Sequence, residues 1–111
     1  MKKQHFGFDV IGKTTDGKEV VSNVFRCYGT MGIPLFLILF ILKEHNKIPD
    51  WIRFYQDAKQ DGWNKKTILS KLRDEIPQIY SDEFSNIVVE RLDKMFPDDI
   101  RQKGRIFSEA S

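Results

Sequence analysis

The side chains with the greatest potential for covalent or acid–base chemistry are one cysteine, Cys27, and two histidines, His5 and His45. Neither histidine has a cysteine or a carboxylate at the spacing of a metal site, so a metal site would need the fold to bring the two together. The chain also lacks the short motifs of serine hydrolases, zinc proteases and phosphate-binding loops. We therefore expect no catalytic residue, cofactor or metal. Cys27 is expected in the core, and His45 at the end of a helix whose dipole it stabilises.

Positive charge is concentrated in residues 63–73, which contain four basic side chains and no acidic one. With residues 54–62, this segment resembles a helix-turn-helix motif, because Ala58 and Gly62 match its small residue and its turn glycine. Asp61 and Lys71 depart from the motif, which has apolar residues at both positions. The resemblance implies that the second helix contacts phosphates or base edges. The residues that would make these contacts are Asn64, Lys65, Lys66, Thr67, Ser70, Lys71 and Arg73. The alternative is an ordinary pair of helices with a solvated basic face, which the near-neutral charge of the whole chain favours.

The N-terminal part of the chain predicts a β-hairpin over residues 5–29. The Asp-Gly dipeptide at residues 16–17 is a strong signal for a tight turn, because both residues tolerate positive φ angles. A two-residue turn there pairs Val10 with Asn23 and gathers most of the apolar side chains on one face, which supports this register.

The opposite face of the predicted hairpin mixes apolar, aromatic and charged side chains, as surfaces that bind proteins often do. The candidate partner-binding residues are Asp9, Ile11, Val24, Arg26 and Tyr28. The partner is expected to be another protein, and a second copy of the chain is one such partner. The alternative is that the C-terminal segment covers this face, or that a second chain completes the sheet.

The longest apolar run is residues 33–42, and Pro34 suits the first turn of a helix. We predict a central helix over about residues 34–46 that is buried on all sides, because the run has no polar face. The run has about half of the ~20 residues that a membrane span requires. Three further helices are expected to begin near Asp50, Asn64 and Ser81 and to end at Gly62, before Pro77 and at Pro97.

Length and composition place the chain among small soluble domains. The 111 residues suit a single domain spanning residues 1–111, with loosely ordered ends at residues 1–4 and about 108–111. The 18 basic and 16 acidic residues give a net charge of +2, which excludes a protein whose whole surface is basic. One cysteine excludes a disulfide-stapled secreted scaffold and favours the cytoplasm.

The expected fold is therefore α+β, with the N-terminal hairpin packed on a bundle of about four helices. The expected function is that of a non-enzymatic protein-binding module, of the inhibitor, immunity or adaptor type, acting through the hairpin and the adjacent helix surface. That type rests only on an analogy of size and composition. The alternative function is a DNA-binding regulator that uses the helix-turn-helix-like segment at residues 54–73.

Overall fold

The described part of the chain, residues 8–98 of a computed structural model, contains three strands and five helices; of Thr30 and Met31 only the backbone is described. In chain order the elements are β1 (Asp9–Lys13), β2 (Glu19–Ser22), α1 (Val24–Met31), α2 (Leu35–Glu44), β3 (Lys47–Pro49), α3 (Trp51–Gln60), α4 (Lys65–Ile79) and α5 (Asp82–Met95). The α+β class, with a hairpin packed on helices, is confirmed. The prediction of loosely ordered ends concerns residues outside the described range.

The sheet has a third strand that the sequence analysis does not predict. β2 lies in the centre, with β1 antiparallel on one side and β3 parallel on the other. β3 is only three residues long, which is too short for a hydrophobic alternation to be recognised. Its pairing brings Ile48 opposite Val20, and the N–H of Asp50 donates to the carbonyl of Val21 at 2.8 Å. Val21 is fully buried, so the central strand joins the sheet to the core.

The predicted register of the hairpin is wrong. Val10 pairs with Val21 rather than with Asn23. Part of the difference arises between Val10 and Gly12, where Ile11 is an extra residue that shifts the pairing. An extra residue of this kind bends the strand and increases its twist, and no periodic pattern in the sequence announces it.

The turn of the hairpin contributes the rest of the shift. It closes with the N–H of Thr14 donating to the carbonyl of Lys18 at 2.8 Å, so Thr15 belongs to the turn and does not pair with Lys18. Gly17 adopts a φ of 91°, which a residue with a side chain rarely does. The Asp-Gly signal therefore locates the turn correctly but gives it the wrong length.

Residues 24–31 form helix α1 and not the second half of a strand, as the hairpin prediction required. Asn23 ends the sheet by adopting a left-handed conformation with a φ of 68°, and its carbonyl accepts the N–H of Cys27 at 3.2 Å. Val24, Phe25 and Cys27 are all buried. Buried positions this close together fit one side of a helix as well as a strand, which is why the pattern over so few residues misleads.

The central helix α2 is only partly buried, so the prediction of full burial is wrong. Its inner side packs on α4, β3 and α1 through Leu35, Ile38, Leu39 and Leu42, each at most 1% exposed. Its outer side carries three large apolar side chains that remain in contact with water: Phe36, Leu37 and Phe40. No helix within residues 8–98 is long and apolar enough to cross a membrane.

The predicted starts of the last three helices are confirmed. Oδ1 of Asp50, Oδ1 of Asn64 and Oγ of Ser81 accept the N–H groups of Arg53, Thr67 and Phe84, at 3.1, 2.8 and 3.0 Å respectively. Each cap satisfies an N–H group that has no partner within its helix. The predicted end of α4 before Pro77 is wrong, because the helix runs through this residue to Ile79.

Two leucines of α2 provide a test of this packing. We expect Leu39→Ala to lower the free energy of unfolding by about 3 kcal/mol, because it leaves a cavity in the core. Leu37→Ala removes the same atoms from a side chain that is 39% exposed. It should therefore lower the free energy of unfolding by less than about 1 kcal/mol. Urea unfolding followed by tryptophan fluorescence measures both values. Equal losses for the two variants would contradict the orientation of α2.

Candidate functional site

The potentially reactive residues do not assemble into a site in the described part of the chain. Cys27 is 2% exposed, and burial raises the pKa of its thiol although the nearby charge of Arg26 opposes this. His45 is exposed at the end of α2, whereas His5 lies outside the described residues. Burial also raises the pKa of Tyr80 to about 12, which keeps this phenol protonated at neutral pH. No group of three potential metal ligands occurs among residues 8–98.

The structure divides the candidate partner-binding residues between two elements. Asp9 and Ile11 are exposed on β1, whereas Val24, Arg26 and Tyr28 lie on α1. Val24 is 2% exposed and belongs to the core. The single outer face that the hairpin prediction implied therefore does not form, because its second strand ends at Ser22.

Tyr28 and Arg26 have different surroundings on α1. The half-buried ring of Tyr28 packs edge-on against Phe25 and Trp63, with centroids 6.2 and 6.0 Å away. The ammonium of Lys71 lies 5.2 Å from the centre of the same ring, a favourable cation–π contact. Arg26 is exposed. Tyr28 thus packs α1 against Trp63, which precedes α4, and against Lys71 of α4.

Strand β1 is an exposed edge of the sheet. All five of its residues are exposed, including Val10 and Ile11 at 50% each. The irregularity at Ile11 interrupts the hydrogen-bonding pattern of this edge, and Lys13 places a charge at its end. Both features are ways in which proteins discourage pairing with another strand. The edge of β1 is therefore a poor template for a partner strand.

The basic residues of α4 have distinct roles. Asn64 caps the helix through its side chain. Lys65, by contrast, is 6% exposed, and its ammonium holds the end of α5. It donates to the carbonyls of Asp93 and Phe96 at 3.0 and 2.7 Å and lies 2.8 and 2.9 Å from the carboxylates of Asp93 and Asp98. A cation at the C-terminus of a helix also interacts favourably with the helix dipole.

These ion pairs shift the pKa values of the groups involved. The hydrogen bonds that Lys65 donates to the carboxylates of Asp93 and Asp98 raise the pKa of Lys65, and the same bond to Asp93 lowers the pKa of that carboxyl group. For Lys71, burial lowers the pKa, but interactions with Tyr28 and Glu75 outweigh it and the net shift is upward. Lys65 and Lys71 are therefore already engaged inside the protein.

Carboxylates accompany the basic side chains along this surface. Lys66, Thr67, Ser70 and Arg73 are exposed, as the nucleic-acid hypothesis requires. The four basic residues of residues 63–73 are matched, however, by four acidic residues close to them: Asp74, Glu75, Asp93 and Asp98. The last three make ion pairs with Lys65 or Lys71, whereas Asp74 lies in the groove beside Lys66. A phosphate backbone would meet a surface of mixed charge, which weakens the attraction.

The largest exposed apolar cluster on a described helix is the outer side of α2, formed by Phe36, Leu37 and Phe40 and hereafter called the α2 face. These side chains are 41, 39 and 48% exposed and lie within little more than one helical turn. The two exposed apolar residues of α5, Ile87 and Met95, are instead eight residues apart, or about 12 Å along the helix.

The α2 face rests on a fixed support. The side chain of Glu75 accepts the N–H of Phe36 at 2.9 Å, which ties the first turn of α2 to α4. At the other end, the ammonium of Lys43 donates to the carbonyl of Ile79 at 2.9 Å. The inner side of the helix is fully packed, so the helix cannot rotate to bury its exposed side chains.

The sequence analysis missed the α2 face, although its signal was visible. A run that is apolar all round predicts a helix covered on every side. Its inner side is covered by α4, β3 and α1, and no described element packs over its outer side. Comparison of the chain with protein-family models, curated proteins and solved structures finds no match. The functional interpretation therefore rests on the geometry alone.

The contacts of Lys65 predict a structural role. We expect Lys65→Met to lower the free energy of unfolding by about 2 kcal/mol, because two helix-end carbonyls lose their hydrogen bonds. Lys66→Met, at the exposed neighbouring position, should change it by less than about 0.5 kcal/mol. Urea unfolding of both variants at pH 7 measures the difference. If the two variants were equally stable, the contacts of Lys65 with the end of α5 would contribute nothing to the free energy of unfolding.

The lowered pKa of Asp93 predicts a pH dependence. A carboxylate whose pKa is lower in the folded than in the unfolded protein stabilises the fold above its unfolded pKa. That contribution is lost as the pH falls through the folded value, here below the ordinary 3.8. The advantage of the wild type over Lys65→Met in urea midpoint should therefore shrink between pH 5 and pH 2.5. A constant difference in urea midpoint over this range would show that the ion pair between Asp93 and Lys65 contributes nothing to stability.

Proposed function

We propose that the chain is a non-enzymatic protein-binding module and that the α2 face is its binding surface. The observation that carries this proposal is the position of Phe36, Leu37 and Phe40, which remain about 40–50% exposed on a helix whose other side is fully packed. The largest contiguous apolar patch on a protein surface is often a functional one.

The composition of the α2 face suits recognition of a protein. Aromatic side chains are enriched in the central, most strongly binding parts of protein interfaces. The two phenylalanines and Leu37 leave on the order of 250 Å² of apolar surface in water, just below the roughly 300–600 Å² of the largest apolar patch on a typical monomer. Because α2 is anchored at both ends to α4, the helix itself needs little reorganisation on binding. Such a module would act by covering or positioning its partner, as an inhibitor, immunity protein or adaptor does.

The surfaces first considered have less support. The candidate residues of the hairpin do not share one face, and Val24 is in the core. A DNA-binding regulator would depend on Lys66 and Arg73, since Lys65 and Lys71 are engaged with carboxylates or with Tyr28. We therefore favour the α2 face over the other two surfaces as the binding site. A cytoplasmic location remains a prediction from the single cysteine.

The proposal is tested by comparing Phe40→Ser with Ile87→Ser. Both changes remove one exposed apolar side chain from a helix, but only the first lies on the α2 face. Tagged full-length wild type and both variants are used to isolate partners from cells of the source organism, and each protein recovered is quantified by mass spectrometry. We expect at least one partner to be lost with Phe40→Ser and kept with Ile87→Ser.

A partner found in this way is then purified and its affinity measured by calorimetry. Loss of a buried aromatic contact should weaken binding by at least tenfold, because such residues are typical hot spots. Equal affinities of wild type and Phe40→Ser for every partner recovered would refute the role of the α2 face.

A further inference from the structure

We infer that the α2 face binds an amphipathic helix of another protein, and that a basic side chain at the end of the apolar stripe of that helix pairs with Glu44. This inference rests on the proposed function, because it names the chemistry of the partner of the same face. The observation behind it is a free carboxylate in line with the exposed apolar side chains.

Glu44 continues the row of exposed side chains on α2. It is exposed and is the last residue of the helix. An α-helix turns by about 100° per residue, so Leu37, Phe40 and Glu44 fall within about 60° of one another around the helix axis. Glu44 lies about 6 Å beyond Phe40 along the axis, on the side opposite to the buried Leu35. The outer side of α2 is thus a row of apolar side chains that ends in a carboxylate.

The charge of Glu44 is not compensated within the described part of the chain. Among residues 8–98, no lysine or arginine forms an ion pair with its carboxylate. The two nearest lysines in the sequence both bind elsewhere. Lys43 donates to the carbonyl of Ile79 at 2.9 Å, and Lys47 forms an ion pair with Glu19 across the sheet.

The position of Glu44 at the end of α2 also favours a cation from outside. The C-terminus of a helix carries a partial negative charge from its unpaired carbonyls, so an acidic side chain in the last turn is unfavourable. A basic side chain of a partner, placed beside Glu44, interacts favourably with both the carboxylate and the helix end. The same two negative charges disfavour nucleic acid or an anionic lipid surface as the occupant of this face.

Phe40 makes arginine the better of the two basic side chains. Its ring is 48% exposed and lies one turn before Glu44. A guanidinium group can stack on an aromatic ring while its N–H groups donate to a carboxylate, and the compact ammonium of lysine is less suited to this double contact. We therefore expect arginine more often than lysine at this position of the partner.

A helix suits the α2 face better than an extended segment does. An extended peptide binds through main-chain hydrogen bonds to the edge of a sheet, whereas the α2 face offers only side chains. A helix has its backbone hydrogen bonds within itself and binds by laying an apolar stripe against such a surface. Its side chains at i, i+3 and i+7 repeat the spacing of Leu37, Phe40 and Glu44, over about 10 Å.

The size of the α2 face also favours a short helical segment. Each partner of a standard interface between globular proteins buries about 800 Å², which is well above the on the order of 250 Å² of apolar surface available here. A peptide helix of a few turns needs no more than this face and its charged end. We expect its dissociation constant to be on the order of 10–100 µM.

A displayed library of helical peptides of about 18 residues, or five turns, tests the inference. All peptides share one apolar stripe, and the positions at its ends vary among Arg, Lys, Gln and Glu. Selection on the full-length wild type should enrich Arg at one end of the stripe. Selection on Glu44→Arg should enrich Glu there, whereas Glu90→Arg, which makes the same change at an exposed position of α5, should give the wild-type result.

The affinity of one selected peptide is then measured by fluorescence anisotropy. Glu44→Arg should weaken its binding by roughly tenfold, and Glu90→Arg should not change it. Raising the salt concentration from about 50 to 500 mM should weaken binding to the wild type, because salt screens exposed ion pairs. Glu44→Arg is expected to fold normally, since a cation is favourable at the end of a helix, and circular dichroism verifies this.

The inference is overturned if no library peptide binds the wild type, if selection on Glu44→Arg enriches the same charge as selection on the wild type, or if the selected peptide binds Phe40→Ser as tightly as the wild type. None of these results decides the proposed function, which is tested on the partners isolated from cells. Peptides that lose binding with Phe40→Ser but show no preference for charge would support the α2 face and reject the role of Glu44. Cellular partners that bind Phe40→Ser and the wild type equally would reject both proposals.

Discussion

The burial of one side of α2 is the constraint on which the rest of the structure depends. Leu35, Ile38, Leu39 and Leu42 are removed almost completely from water, and every neighbouring element is placed by the need to cover them. α4, β3 and α1 all pack against α2. The hydrophobic effect supplies most of the free energy of folding here. It depends on the apolar area removed from water and not on which neighbouring elements cover that area.

The polar contacts then determine how these elements are joined. Glu75 and Lys43 tie the two ends of α2 to α4, and Lys65 ties the beginning of α4 to the end of α5. All of these bonds satisfy a backbone group at a helix terminus, which would otherwise lack a partner. Lys65, which the sequence pattern assigns to a nucleic-acid-binding surface, is in this way used to hold two helices together.

This use of charge separates the two functional hypotheses. A basic run on a helix predicts a phosphate-binding site only when the charges around it are left out of account. In the folded chain, acidic residues from α5, from the segment that follows it and from α4 itself neutralise much of that run. The apolar outer side of α2, by contrast, is not covered by any described element. It is therefore the surface on which we base the proposed function.

The sequence by itself determined the features that depend on residues close together in the chain. The caps at Asp50, Asn64 and Ser81 join groups three residues apart, and the apolar run identified the central helix, so these elements were predicted correctly. Only the tertiary structure decided the rest. Whether α2 is covered on all sides depends on how many elements reach it, and the burial of Lys65 depends on groups about thirty residues further along the chain. The strand β3 and the helix α1 likewise form because distant segments pair with them or pack against them, and short local patterns do not contain that information.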